Sequence, residues 1–442
     1  MSCLRALRRS YIATAAARTA PRLFARHSAA MPPSGQPGQR TLLLLPPVPS
    51  PPSYAALKAA YHAPVFTVLR ALARSPKRTQ QPAMLEIALP CPHLYGHLDS
   101  PRGPLYATTQ RLVADLYKLI CIISANESID TEDADGVDAR IILVAYPRDG
   151  KLGQPSKDAS TEQELQGPAI ELYTLARSSR SWDAVYSVES EEGEILVQNF
   201  LALSLSRPDI SRVRGGIVQV ELPGPVVASA EPAVTLTNHL SVAVGGTFDH
   251  LHIGHKLLLT MFAFVLGRKP TSADNDEPSC LTIGITGDVL LKNKKYAEYL
   301  ESWQRRQEAV HSFLSSLVFF GRPDDQRICV EEKTDPGPNG HAVHVVYPFG
   351  LVIKYVEIWD PFGPTITDES ISALVISLET RSGGSAVNAK RAEKGWSPLE
   401  VFEVAVLDAS EEESVDETFQ SKLSSTEIRR MRSEQGEIKA HA

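Results

Sequence analysis

No acidic residue occurs in the first 85 positions of this 442-residue chain, although twelve Lys and Arg do. From Glu86 onward 33 basic residues face 52 acidic ones, a net charge of −19 that the whole-chain value of −7 conceals. An acidic body argues against nucleic acid as the main partner. Cysteine is scarce: Cys3, Cys91, Cys121, Cys280 and Cys329 show neither a C-x-x-C pair nor metal-ligand spacing. That excludes a disulfide scaffold and fits a reducing compartment. No apolar run approaches the roughly 20 residues of a membrane-spanning helix. A G-x-x-x-x-G-K-[ST] loop is also absent, so no P-loop kinase signature is present.

What is there begins with a basic leader. Arg5, Arg8, Arg9, Arg18, Arg22 and Arg26 are interspersed with Ala and Ser in the manner of a mitochondrial presequence. A start at Met31 gives a cytosolic form instead, so the expected location is mitochondrial or cytoplasmic. The length predicts two domains. Residues 1–53 are expected to be a basic, Pro-rich tail and linker, 54–222 an accessory α/β domain, 223–238 a linker, and 239–435 the domain that carries chemistry. In the accessory part, Tyr54 to Arg74 and Leu105 to Ser124 read as amphipathic helices. Met84 to Leu89, Arg140 to Tyr146 and Gly216 to Leu222 read as strands. His93 and His97 lack ligand spacing and are read as structural.

The most informative stretch is Gly245-Gly246-Thr247-Phe248-Asp249-His250-Leu251-His252-Ile253-Gly254-His255. It lies between a strand-like run, Leu240 to Val244, and an apolar run of helical length, Lys256 to Leu266. A strand, a glycine turn and a helix start bring backbone N–H groups and a positive dipole end to one point, which suits phosphate. Gly245 and Gly246 let that turn approach a polyanion. His252 and His255 are three apart and share one face as the helix begins. Either can donate to phosphate oxygens, and an imidazolium adds positive charge there.

Further on, Leu281 to Thr286 reads as a buried strand, followed by Gly287-Asp288 and the basic run Lys292-Asn293-Lys294-Lys295. A helix is expected from Glu298 to Phe313, strands at Ile371 to Leu378 and Val401 to Leu407, and an insertion over 322–354. Near-continuous apolar strands alternating with helices predict an α/β fold with a Rossmann-like parallel sheet covered on both faces. Ligands of such sheets sit at the carboxyl ends of the strands, where these motifs fall. Leu423-Ser424-Ser425-Thr426-Glu427-Ile428-Arg429 reads as a capped helix start.

GGTFDHLHIGH resembles the T/HxGH signature of the nucleotidyltransferase superfamily, and LSSTEIR is similar to its second motif. With TGD, DPFGPT and ETRSGGSAVNAKR, the arrangement most resembles the eukaryotic-type phosphopantetheine adenylyltransferases, including the adenylyltransferase part of CoA synthases. The resemblance covers about 239 to 435. It implies transfer of an adenylyl group from ATP to 4'-phosphopantetheine, with Mg2+ on the triphosphate and no dedicated protein metal site. It implies that Thr247 holds the attacking phosphate and His255 the α-phosphate charge. Lys292 or Lys295 would neutralise developing charge, with Lys294 a third contender. Gly245, Gly246, His252, Ser424, Ser425, Thr426 and Arg429 would bind ATP, and Arg381 the acceptor substrate. Association with other coenzyme A-pathway enzymes stays open. So do two alternatives: a CTP-dependent cytidylyltransferase, and a scaffold for those enzymes. Residues 232 to 442 contain every element assigned to chemistry and are expected to fold alone.

Overall fold

The computed structural model describes residues 38–75, 81–131, 136–153, 163–216, 237–269, 278–322, 324–407 and 424–441, with side chains to 434. The basic leader, most of the 223–238 segment and all but the first residue of the strand expected at Gly216 to Leu222 lie outside them. Two sheets form. The first runs β1 (Arg40–Leu44), β2 (Ala83–Cys91), β3 (Val137–Ala145), β4 (Ala169–Glu171), β5 (Ala184–Glu189) and β6 (Ile210–Arg214), in the spatial order β4-β3-β2-β1-β5-β6. All its pairings are parallel.

The first strand corrects the expected domain layout. Arg40–Leu44 is not linker; it pairs with both β2 and β5 inside the sheet, and Leu42 and Leu43 are fully buried. The run RTLLLLPP is short and ends in prolines, so it reads as linker, yet four buried leucines suffice for a central strand. α1 (Tyr54–Arg74) follows, capped by Ser53, whose hydroxyl accepts from the Ala56 N–H. α2 (Gly103–Asn126), the short α3 (Leu172–Arg177) and α4 (Glu191–Leu203) complete this half.

The second sheet comprises β7 (Ser241–Gly246), β8 (Ser279–Thr286), β9 (Cys329–Thr334), β10 (His341–Val346), β11 (Leu351–Ile358), β12 (Ala373–Ser377) and β13 (Glu400–Val404). Its order is β13-β12-β7-β8-β11-β10-β9. β7, β8, β11, β12 and β13 pair in parallel, as expected for an α/β sheet. The segment read as an insertion forms an antiparallel hairpin, β9 and β10, added against β11 with β9 at the sheet's edge. Helices α5 (Ile253–Val265), α6 (Trp303–Val318) and α7 (Arg381–Glu393) connect the strands, and α8 (Ser425–His441) closes the chain. Among the described residues no helix is long and apolar enough to cross a membrane.

The two halves share no strand but share their helix layer. One apolar cluster runs from Leu43, Val68 and Ile120 to Phe262, Phe264 and Phe313. Gln166 forms an antiparallel bridge to Phe319, with Gly167 N–H to Val318 O at 3.0 Å and Phe320 N–H to Leu165 O at 3.0 Å. A Cβ at Gly167 would lie 1.9 Å from Leu317 O, so only glycine permits that approach. Arg180 pairs with Glu86 at 2.7 Å and donates to Phe319 O. The condition for residues 232 to 442 to fold alone, a sheet that borrows no strand, is met, but α5 and α6 pack against the first half and would lose that cover in the fragment.

Candidate active site

Strand β7 ends in the two glycines. A Cβ at Gly245 would meet open space, whereas at Gly246 it would come within 2.9 Å of the Phe248 ring. Beyond them Phe248 (φ 52°) and His250 (φ 47°) adopt the left-handed conformation, costing on the order of 1–3 kcal/mol each. The surroundings over-determine this turn. Phe248 is fully buried against the His255 ring, centroids 5.4 Å apart. His250 donates Nε2–H to Tyr299 O and its backbone N–H to Glu301 Oε2, both at 2.9 Å. Arg306, fully buried, donates to Thr247 O (2.6 Å), Thr286 O (2.9 Å), Glu301 O (3.0 Å) and Asp288 Oδ1 (2.6 Å).

α5 starts as the motif requires. His252 is its N-cap and accepts the His255 N–H through Nδ1 at 3.4 Å. The two imidazoles stack at 3.8 Å with 19° between planes. Burial, reinforced by His255, Lys256 and His250, pushes His252 well below the usual histidine range. Burial also pushes His255 down to about 4, although Asp249 pulls the other way. Burial thus favours the neutral form of both rings in the free chain, against the expectation of an imidazolium. His255 Nδ1 is buried and has no hydrogen-bond partner among the described residues.

The second motif meets the first at Asp249. Ser424 caps α8, accepting from the Glu427 N–H (3.5 Å) and, through its carbonyl, from the Ile428 N–H (3.0 Å). Ser425 Oγ donates to Asp249 O at 2.7 Å. Arg429, 2 % exposed, forms an ion pair with the fully buried Asp249 carboxylate, which also accepts the Glu301 N–H at 2.9 Å. Arg429 further donates to Lys295 O and Thr426 Oγ1. The starts of α5 and α8 are thus locked around one carboxylate. Arg429 was expected to face phosphate; it is instead committed to joining the two motifs. Thr247 is half-buried, Thr426 exposed, and Lys292, Lys294 and Lys295 all exposed in the segment after β8. Arg381 follows β12, the strand that pairs with β7. It begins α7 and pairs with Glu403 of β13 through Nε at 2.6 Å.

Asp249, His250 and Glu301 place ligand atoms within 4.8 Å of one another, as a metal site would. Both oxygens of Asp249 and one of Glu301 accept from Arg429 and from the Glu301 and His250 N–H groups, and His250 Nε2–H donates to Tyr299 O, so the trio braces the turn. Asp249, Glu301 and Arg306 carry structural roles that the motif pattern did not assign; each depends on a partner remote in sequence.

A parallel doubly wound sheet with a glycine turn and two helix starts at its carboxyl edge defines a Rossmann-like domain of the nucleotidyltransferase type. The chain is 32 % identical over 255 residues to an uncharacterised protein of Schizosaccharomyces pombe, covering 58 % of this chain and 66 % of that protein. It is 39 % identical over 189 residues to the phosphopantetheine adenylyltransferase of Saccharomyces cerevisiae, covering 43 % of this chain and 47 % of the yeast enzyme. With the phosphopantetheine adenylyltransferase of Pyrococcus horikoshii it shares 30 % identity over 166 residues, 38 % of this chain and 78 % of the archaeal one. The chain belongs to the phosphopantetheine adenylyltransferase family. It spans half to two thirds of the two fungal relatives' own length. Residues 31–219 match a family model described as a domain of unknown function (DUF8446).

Proposed function

We propose that the chain transfers the adenylyl group of ATP to 4'-phosphopantetheine, forming dephospho-CoA and releasing pyrophosphate. The observation that carries this reading is the Asp249 junction, which sets the starts of α5 and α8 around one turn. Two positive helix ends meeting at one turn suit a polyphosphate. The acceptor phosphate attacks the α-phosphorus in line and the bridging oxygen leaves with pyrophosphate. The protein supplies position and charge, with no covalent intermediate. Thr247 would hold the acceptor phosphate. His255, its neutral form favoured by burial, would donate to the α-phosphate oxygens. The exposed Lys292 and Lys295 would close over the leaving group. ATP enters as its Mg2+ complex, because the buried acids here are already committed.

Full-length protein assayed with ATP or CTP, against 4'-phosphopantetheine or phosphoethanolamine, tests the reading. Pyrophosphate and dephospho-CoA are expected only from ATP with 4'-phosphopantetheine. Turnover of CTP with phosphoethanolamine would overturn it in favour of a cytidylyltransferase, and no turnover with any pair in favour of a scaffold.

A further inference from the structure

Lys256, the residue after His255, occupies an unfavourable place for a cation. It is 3 % exposed, in the first turn of α5, beside two imidazoles and at the positive end of the helix dipole. An ammonium there needs a buried counter-charge. The first half supplies it: Lys256 Nζ lies 2.9 Å from Asp138 Oδ1 at the start of β3, and donates to Thr131 O at 3.2 Å. The other oxygen of Asp138 accepts from Arg140 Nε at 2.9 Å and Nη2 at 2.6 Å. Arg140 in turn donates Nη1–H to Ser312 O of α6 at 2.8 Å and lies over the Phe313 ring. One carboxylate of the first half thus grips the helix carrying His252 and His255. Through Arg140 it also grips the helix carrying Arg306, which holds the glycine turn.

We infer that Asp138 is a positioning residue for the transfer site: acting through Lys256, it fixes the first turn of α5 and the His252–His255 stack. This rests on the proposed adenylyl transfer, and it gives the domain of unknown function a defined part in that reaction. A purely structural Asp138 would serve only to neutralise Lys256, and removing both charges would then restore everything. A positioning Asp138 behaves differently, since an uncharged pair no longer sets the helix start.

The test uses full-length Asp138→Asn, Asp138→Glu and the double variant Asp138→Asn/Lys256→Met. Asp138→Asn should lower kcat about 10- to 100-fold, the scale of a misplacement near 1 Å, with a smaller change in KM for ATP. Asp138→Glu should recover part of that loss. The double variant should regain thermal stability, because no ammonium is left stranded, yet keep the low kcat. Wild-type kcat in the double variant, or in Asp138→Asn itself, overturns the inference. Should Asp138→Asn fail to fold, the double variant still decides. Histidine ring NMR signals of the ligand-free variants give a readout independent of turnover. If the wild type forms no dephospho-CoA, the reaction reading fails. The positioning claim then stands on shifted His252 and His255 signals in the double variant, or falls on unshifted ones.

Discussion

With β4 and the β9–β10 hairpin set aside, the two halves of the molecule share one strand order. Each has its first strand, β1 or β7, flanked on one side by two parallel strands, β2 and β3 or β8 and β11, and on the other by two later ones, β5 and β6 or β12 and β13. Each follows that first strand with a loop and a serine- or histidine-capped helix. What differs is the loop. β7 ends in Gly245 and Gly246, and the positive end of α5 follows, where the His255 N–H is capped by His252 Nδ1. After β1 come Pro46, Pro47, Pro49, Pro51 and Pro52, which have no N–H to offer. The Leu45 and Val48 N–H groups are spent on Ala88 O and Pro90 O, and the Pro46 and Val48 carbonyls on Tyr61 and Arg148. At the other side of that crevice α4 begins with Glu191, Glu192 and Glu194, which repel an anion. Topology sets where a phosphate site can be; the loop decides whether there is one.

The largest expected effect comes from deleting the half without such a loop. A fragment of residues 232 to 442 should aggregate or lack a cooperative thermal transition, because α5 and α6 lose their cover. A soluble, cooperatively melting fragment would show that the halves are energetically independent. Next is His255→Ala, expected to lower kcat by about 10²–10³ with the fold intact. The same site has a pH signature. If the neutral ring is the donor, kcat/KM should hold as pH falls through 6.5 and decline only towards about 4, where His255 takes its proton. An acid limb centred near 6.5 would contradict that. Arg429→Met strands the Asp249 carboxylate and should cost about 3–5 kcal/mol, read by chemical denaturation. A loss below about 1 kcal/mol would mean that the two motifs do not depend on the bridge. The smallest effect is expected at Ser53, the cap of α1. Ser53→Ala should cost roughly 0.5–2 kcal/mol and leave kcat alone. A large fall in kcat there would give the proline loop a role in the reaction.

Local patterns carried much of this. α1 spans Tyr54–Arg74 as its periodicity predicts, and β7, β8 and β12 lie close to their expected limits. The α/β class follows from the apolar runs, and the turn between β7 and α5 from its glycines and histidines. What was not legible depends on distant partners. Asp249 meets Arg429 180 residues later, and Lys256 meets Asp138 across the halves. Nothing near Arg429 tells whether its guanidinium faces a ligand or a buried carboxylate. Arg391 is similar: inside an apparently polar helix, it is buried and donates to Thr365 O, Asp368 O, Glu369 O, Ile371 O and Ser397 O. Strand β1 was masked by its prolines, and the β9–β10 hairpin by an acidic, glycine-rich segment that resembles loop.

That hairpin also settles how the second sheet ends. β9 is its outermost strand on that side, and Glu331, Glu332 and Lys333 stand along it. A strand's open edge is a template for any neighbouring chain, but burying these charges against a newcomer carries a desolvation penalty. The hairpin therefore acts as a terminator, keeping crowded copies from stitching their sheets into a continuous ribbon.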